Sequence, residues 1–486
     1  MKIALINLEQ NFGCIPMGLA HIAAYAREYG EYNDIKIIDR EDPIKVIKKY
    51  CPDVIGISVV SEQYYKVKNL AKEIRKFSNA TLVIGGAHIN AMPENLKTSN
   101  FDIGVVGEGE QTFLELLNCL KKNKNPPEDE LKKIKGIIFI DKKGKLVATE
   151  RRELMKNLDV IPFPAYDLLK MKEFYLVPGP VGAGLIGIRG YLMTSRGCPY
   201  NCIYCGSNSI WGRSGTRWHS AERVVEDIKT WVNKYGTNHF SVYDDLMIVN
   251  KPRLIKIANL LEKERLTKKI DFELYGRANV IDEEICRLLK RINVTSIAFG
   301  LESGSERVLN YLKKGNVTVE QGKAAIKLCK KYGFKVTGLF ILGSPGEKEE
   351  DMKKTIQFAK DPNLDNIQAY QATPLPGTEL WATALKQKSI KEDFYEYPDR
   401  GNVLALNKEM VLSKEVTPDR FVDLFKEFQG VMKMKNYFED KPRFKFKMIK
   451  YFFYPRFFLK IWRRKGYIAD YVWDYLTRKT DYVKVP

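Results

Sequence analysis

No window of this chain reaches the roughly 18 uncharged apolar residues that a membrane-spanning helix requires, which argues against an integral helical membrane protein. MKIALINLEQ carries a charge at Lys2 and a short apolar run soon broken at Glu9 and Gln10, so no signal peptide is read there. Repeats of solenoid period are also missing. A cytoplasmic protein is the expectation. In that reducing compartment its eight cysteines read as thiols or metal ligands, not as a disulfide framework. Five of them, Cys14, Cys51, Cys119, Cys286 and Cys329, stand singly among apolar neighbours and are expected as small buried hydrophobes. Acid is scarce in one region: from Lys441 to Pro486 there are 13 Lys or Arg against 3 Asp, so half of the chain's +20 charge lies in the last 46 residues.

What is present is an ordered α/β pattern over 486 residues, long enough for two or three domains. Met1 to Leu8, Val54 to Val60, Thr81 to Gly86 and Ile103 to Val106 read as strands. Met17 to Tyr29, Gln63 to Phe77 and Glu110 to Leu120 read as helices between them. Strands that are continuously apolar imply a parallel sheet covered on both faces, hence a doubly wound, Rossmann-like domain over residues 1–150, closed by a hairpin in Gly136 to Thr149. A Pro- and Gly-rich linker over residues 151–188 follows. Residues 189–385 then read as a partial (β/α)6 TIM-type barrel, with strands at Tyr191 to Ser195, His239 to Tyr243, Asp271 to Gly276, Ser296 to Leu301, Lys335 to Leu342 and Asn366 to Gln371. Residues 386–486 complete the chain as a mainly helical, basic and aromatic region.

The chemistry-bearing motif is TSRGCPYNCIYCGS, from Thr194 to Ser207, on the loop after the first barrel strand. Cys198, Cys202 and Cys205 are spaced to hold three corners of a four-iron, four-sulfur cubane and leave the fourth iron open. An open metal position is what a site needs if it is to bind a substrate or cofactor directly. The competing reading is structural zinc with His219, but that spacing matches no finger or ribbon.

The Cys-x-x-x-Cys-x-aromatic-Cys pattern at a first barrel strand resembles the radical S-adenosylmethionine (SAM) superfamily. The resemblance implies a [4Fe-4S] cluster, SAM chelating its open iron, and electron transfer that cleaves the sulfonium to a 5′-deoxyadenosyl radical. It also implies SAM contacts from Tyr204, from Asp244 and Asp245 in SVYDD, from Arg277 in YGRANVI, from Glu302 and Ser303 in FGLESGSERVL, and from Gly343 in GLFILGSPGE. Singly, an Asp pair at a strand end reads as a helix cap and a Gly-Ser-Pro-Gly run as a turn. In barrel order behind the cysteines they read together as a cofactor site.

The preceding domain, through NFGCIPMGLAHIAAYARE, DVIGISVVSEQYY, LVIGGAHINAMPE and DIGVVGEGEQTFLEL, resembles the cobalamin-binding domain of class B radical SAM methyltransferases. The likeness covers roughly Met1 to Leu380. It implies cobalamin contacts at Ser58, Gly85, Gly86, His88, Gly107 and Gly109, where bare strand-end backbone admits a corrinoid nucleotide tail. Ser61 is a further hydrogen-bonding candidate, while Glu108 and Glu110 read as acids favoured at a helix N-terminus. The Asp-x-His-x-x-Gly signature of a histidine cobalt ligand is absent. Cobalamin without that ligand, or a domain that has lost the cofactor, are the two readings.

The implied function is a cobalamin-dependent radical SAM methyltransferase acting on an unactivated carbon of a hydrophobic, lipid-like substrate. The alternatives are a non-methylating cyclase or rearrangement enzyme of the same class, and a non-catalytic corrinoid or lipid-binding protein. A reductant such as ferredoxin or flavodoxin is the implied partner. The tail, with 14 aromatics among its 13 basic residues, reads as a peripheral membrane contact, as a helical cap packed on the barrel or, least favoured, as a nucleic-acid surface.

Overall fold

The structure, a computed structural model, describes residues 1–8, 15–176, 179–181, 185–212, 215–398 and 406–440. The chain forms two compact units, Met1–Met432 and Lys433–Pro486, and all the site geometry below belongs to the first. The basic aromatic segment from Lys441 lies outside the described residues, as does Cys14. Among the described residues no helix is long and apolar enough to cross a membrane.

The first sheet has seven strands in the order β2-β1-β3-β4-β5-β6-β7. They are β1 (Ile3–Asn7), β2 (Ile35–Asp39), β3 (Val54–Ser58), β4 (Thr81–Gly85), β5 (Ile103–Val105), β6 (Ile137–Ile140) and β7 (Leu146–Ala148). The first five run parallel and β6 and β7 add an antiparallel hairpin at one edge. The strands are apolar at successive positions because both faces are covered. Ile3 and Leu5 join the core with Leu19, Ala23, Phe113 and Leu116 of helices Met17–Gly30 and Gly109–Lys122. Ala4 and Ile6 pack on the other face with Val67, Ala71 and Ile74 of helix Tyr64–Arg75. Strand β2 and helix Pro43–Tyr50 were not expected: the strand is short and flanked by charge, and the helix buries only Ile47.

Residues 151–188 are irregular yet packed. Leu158, Ile161, Tyr166, Met171 and Tyr175 are buried, and the Tyr175 hydroxyl donates to Asp39 Oδ2 at 2.6 Å. Within this stretch β8 (Gly179–Val181) pairs with β9 (Leu185–Gly187). The second large sheet is six parallel strands in the order β10-β13-β14-β15-β16-β17. These are β10 (Arg189–Leu192), β13 (His239–Val242), β14 (Asp271–Gly276), β15 (Val294–Glu302), β16 (Lys335–Leu342) and β17 (Asn366–Gln371). Between β10 and β13 lies a small antiparallel pair, β11 (Ser195–Arg196) with β12 (Arg217–Trp218). Helices Glu306–Lys313 and Glu379–Lys386 follow β15 and β17. A C-terminal helix begins at Pro418, and its Phe428 meets Phe340 of β16 with ring centroids 5.6 Å apart.

Of the cysteines expected in the core, Cys286 and Cys329 are buried, Cys119 is intermediate and Cys51 is exposed. The reason for Cys51 is local. It caps helix Pro43–Tyr50 in the left-handed conformation, φ 49°, and its thiol donates to Lys48 O at 3.2 Å.

Candidate active site and cofactor cavity

The cysteine loop leaves β10 under tight restraint. Asp244, just past β13, is 3 % exposed. Its carboxylate accepts from Thr194 N and Thr194 Oγ1, each at 2.5 Å, and from Ser195 Oγ at 2.6 Å. Arg253 adds donors to Thr194 O and His219 O, each at 2.8 Å. Asp244 is thus consumed in bracing the strand that enters the loop. Its neighbour Asp245 is exposed and accepts from Ser207 Oγ at 2.7 Å, just beyond the last cysteine.

Cys198, Cys202 and Cys205 are free and partly buried. Burial raises the Cys198 thiol above its ordinary range and pushes the Cys205 thiol up to about 12, so thiolates there need a cationic partner, and metal loading must release protons. Among the described residues no three His, Cys, Asp or Glu side chains converge on a single-ion site, whereas a cubane takes one thiolate at each of three irons. His219, the zinc candidate, is buried and directs Nδ1 to Asp159 Oδ1 at 3.2 Å.

Strand ends reach back to this loop. Arg277 follows β14 and donates from Nη1 to Cys202 Sγ at 3.2 Å. The Tyr204 hydroxyl donates to Glu302 Oε1 at 2.6 Å, and Lys313 Nζ lies 3.0 Å from the same oxygen. Glu302 ends β15 at a shift in register, with φ 60°. A Cβ on Gly300 would lie 2.2 Å from its carboxylate oxygen, so Gly300 is bare where Glu302 folds back. Three separate strands, β13, β14 and β15, therefore hold the cysteine loop through Asp245, Arg277 and Glu302. Ser303 differs from expectation. It is fully buried, 3.0 Å from Thr355 Oγ1, and accepts from Ser305 N, so it shapes the turn. Gly343, φ 87°, donates its N–H to Glu347 Oε2 at 2.7 Å and lies against the Phe421 ring.

At the C-terminal edge of the first sheet a cavity of about 190 Å³ is lined by Ser58, Gly85, Gly86, Gly107 and Gly109. Its apolar wall includes Leu5, Leu19, Val83 and Phe113. Gly86 has φ 98°, and a Cβ there would lie 2.7 Å from the Val59 backbone. Gly18 and Gly107 border open space, so the cavity keeps its width where side chains are missing. His88 does not belong to this wall. It is 1 % exposed, stacked on Tyr64 at 4.1 Å, 3.0 Å from Ser61 Oγ, and burial lowers its pKa to about 3. The sequence reading missed Gly18, His21 and Asn90. Asn90 accepts from Gly107 N at 2.6 Å and donates to Gly86 O at 2.9 Å, tying two glycine turns together.

The far wall of the cavity comes from the flanks of the cysteine loop: Met193 and Arg196 before it, Ile210 and Trp211 after it. Glu108 and Glu110 are not solvated helix-end acids. Arg196, 6 % exposed, donates to Glu108 Oε1 at 2.7 Å and to Glu110 Oε1 at 2.5 Å. Arg217 reaches both Glu108 oxygens at 2.9 Å. The donor set fits the groups the sequence implies: three thiols on one loop, a buried Arg277 Nη2 with no hydrogen-bond partner, and a glycine-walled slot for a corrinoid tail.

Comparison with known proteins agrees with this geometry. Residues 192–359 match the model of the radical SAM superfamily and residues 3–117 that of the B12 binding domain. An uncharacterized methyltransferase of Pyrococcus horikoshii is 36 % identical over 382 residues, covering 76 % of this chain and 78 % of the relative. An anaerobic magnesium-protoporphyrin IX monomethyl ester cyclase of Rubrivivax gelatinosus is 25 % identical over 425 residues, 85 % of this chain and 73 % of the relative. Among solved structures the fold is similar to the radical SAM methyltransferase TsrM of Kitasatospora setae, with TM-score 0.68, 15 % identity and 89 % of each chain covered. The chain belongs to the radical SAM superfamily, in the class that carries a B12-binding domain. It is a cobalamin-dependent radical SAM enzyme, and its cofactors are a [4Fe-4S] cluster, SAM and cobalamin.

Proposed function

We propose that the chain is a methyltransferase that modifies an unactivated carbon of a hydrophobic, lipid-like substrate, with Cys198, Cys202 and Cys205 as the cluster ligands. When bound, cluster and SAM supply radical hydrogen abstraction and cobalamin carries the methyl group. The observation that supports this reading is the shared wall: residues flanking the cysteine loop on both sides line the cavity of the B12-binding domain, as two cofactors acting together would require.

The protein's own residues orient and enclose. Asp244 and Arg253 fix the strand entering the loop, and Glu302, held by Lys313 and Tyr204, would offer its carboxylate to a SAM hydroxyl or amino group. Asp245, unlike the buried Glu302, is exposed and offers a second carboxylate at this mouth. Ser58, Gly85 at the end of β4, and Gly86, Gly107 and Gly109 just after β4 and β5 would give a corrinoid tail its backbone surface. Tyr275 alternates with buried Phe272 and Leu274 on β14 and is 47 % exposed, so it faces the concave side of the barrel and supports an apolar substrate there.

The cyclase relative favours a second reading, ring formation without methyl transfer. Anaerobic purification with cobalamin supplied, followed by iron, sulfide, corrinoid and product analysis, separates the two. Methyl transfer releases S-adenosylhomocysteine and cyclisation does not. A Cys202→Ala variant should lose both the cluster absorbance and all 5′-deoxyadenosine formation; retention of either overturns the ligand assignment.

A further inference from the structure

Arg277 is only 6 % exposed. It lies 3.8 Å above the Tyr200 ring, donates from Nε to Asn279 Oδ1 at 3.1 Å and from Nη1 to Cys202 Sγ at 3.2 Å. Among the described residues no carboxylate pairs with it. A buried guanidinium stays protonated, and a buried cation without a counter-charge is costly. Ring face and amide supply only part of that compensation. The Cys202 sulfur is the acceptor that Nη1 already addresses, and Nη2, buried beside it, has no hydrogen-bond partner.

We propose that Arg277 is a tuning residue for the cluster, donating a charge-assisted hydrogen bond to the Cys202 thiolate and so favouring the more negative, reduced state. Hydrogen bonds to cluster sulfurs are among the terms that set the reduction potential. A cation at this sulfur raises it, which eases one-electron delivery from a ferredoxin- or flavodoxin-type donor. The stack on Tyr200 and the bond to Asn279 hold the guanidinium plane so that Nη1 keeps its aim. This role rests on the cluster reading above and differs from a SAM carboxylate clamp, because it operates before SAM binds.

The test is EPR-monitored potentiometry of the anaerobically reconstituted holoenzyme without SAM, comparing wild type with Arg277→Gln. At equal iron and sulfide content, the variant should show a reduced-to-oxidised ratio about tenfold lower at the same applied potential, a 59 mV shift for a one-electron couple. An unmoved potential with a raised KM for SAM would make Arg277 a SAM clamp only and overturn the proposal. Should the variant not assemble a cluster, pulsed EPR of the reduced wild-type enzyme grown on 15N-arginine decides. A labelled-nitrogen coupling is expected, and its absence overturns the contact. A wild-type chain that holds no cluster would remove the proposed function as well, whereas a normal cluster with an unmoved potential removes only this role.

Discussion

Gly18 sits one turn before His21 on the helix that follows β1, and nothing lies within 4 Å of where its Cβ would be. Because it lines the cavity in a helical conformation, a side chain added there fills ligand space without backbone strain. Gly18→Leu should therefore leave the fold and the iron content intact while lowering cobalamin retention by about tenfold or more, equivalent to 1.4 kcal/mol. Corrinoid and iron analysis of the same sample checks it. His88 makes the opposite case, a residue whose identity suggested a ligand but whose surroundings bury it. With its pKa lowered from 6.5 to about 3 by burial, the neutral ring's stabilising contribution is complete above pH 6.5 and is lost as pH falls toward 3, at up to about 1.4 kcal/mol per pH unit. Urea unfolding at pH 7 and pH 5 should show a shallower acid loss in His88→Gln than in wild type; equal losses would mean that the ring is not held neutral. The sequence placed the cysteines and the strand-end residues because spacing and order are properties of the chain itself. Orientation was not legible: Asp244 and Asp245 are adjacent, and successive side chains at a strand end point to opposite sides, so one braces Thr194 while the other faces outward. Tyr395, which meets His88 edge-on at 6.2 Å, is too distant in sequence to have been anticipated.

Between elements, buried ion pairs join the cysteine loop's flanks to the helix after β5. The β11–β12 pair presents Arg196 and Arg217 to the acids at the start of helix Gly109–Lys122, and Trp211 lies under both guanidinium groups at 5.6 and 5.8 Å. No periodicity or motif marks such a contact, because its halves lie about 90 residues apart in the chain. The strands and most helices were legible for the converse reason, that each rests on a local apolar pattern. Breaking a buried pair by removing one partner leaves an uncompensated charge and typically costs about 3–5 kcal/mol. Arg196→Met should therefore lower unfolding free energy by that order, read from denaturant midpoints of the cluster-free protein. A change below about 1 kcal/mol, the value of a solvated surface pair, would show that water reaches these acids.

At the scale of the whole molecule the outstanding feature is the uneven distribution of charge along the sequence. Half of the +20 excess lies in the sequence between Lys441 and Pro486. Fourteen aromatics share that segment in blocks such as YFFYPRFF, a composition suited to headgroup depth, where each Lys or Arg near an anionic surface contributes about 1 kcal/mol. A segment of this kind would bring a lipid-like substrate to the enzyme from a bilayer surface instead of from dilute solution. The expected outcome is co-sedimentation of the full chain with phosphatidylserine-containing vesicles at low salt and its release at high salt, since attraction between exposed charges is screened within about 10 Å at 0.1 M ionic strength. A chain ending at Asp440 should stay in the supernatant under both conditions while retaining cluster and cobalamin. Equal partitioning of the two forms would return the segment to the role of a packed helical cap and leave the substrate's route to the barrel unrelated to its charge.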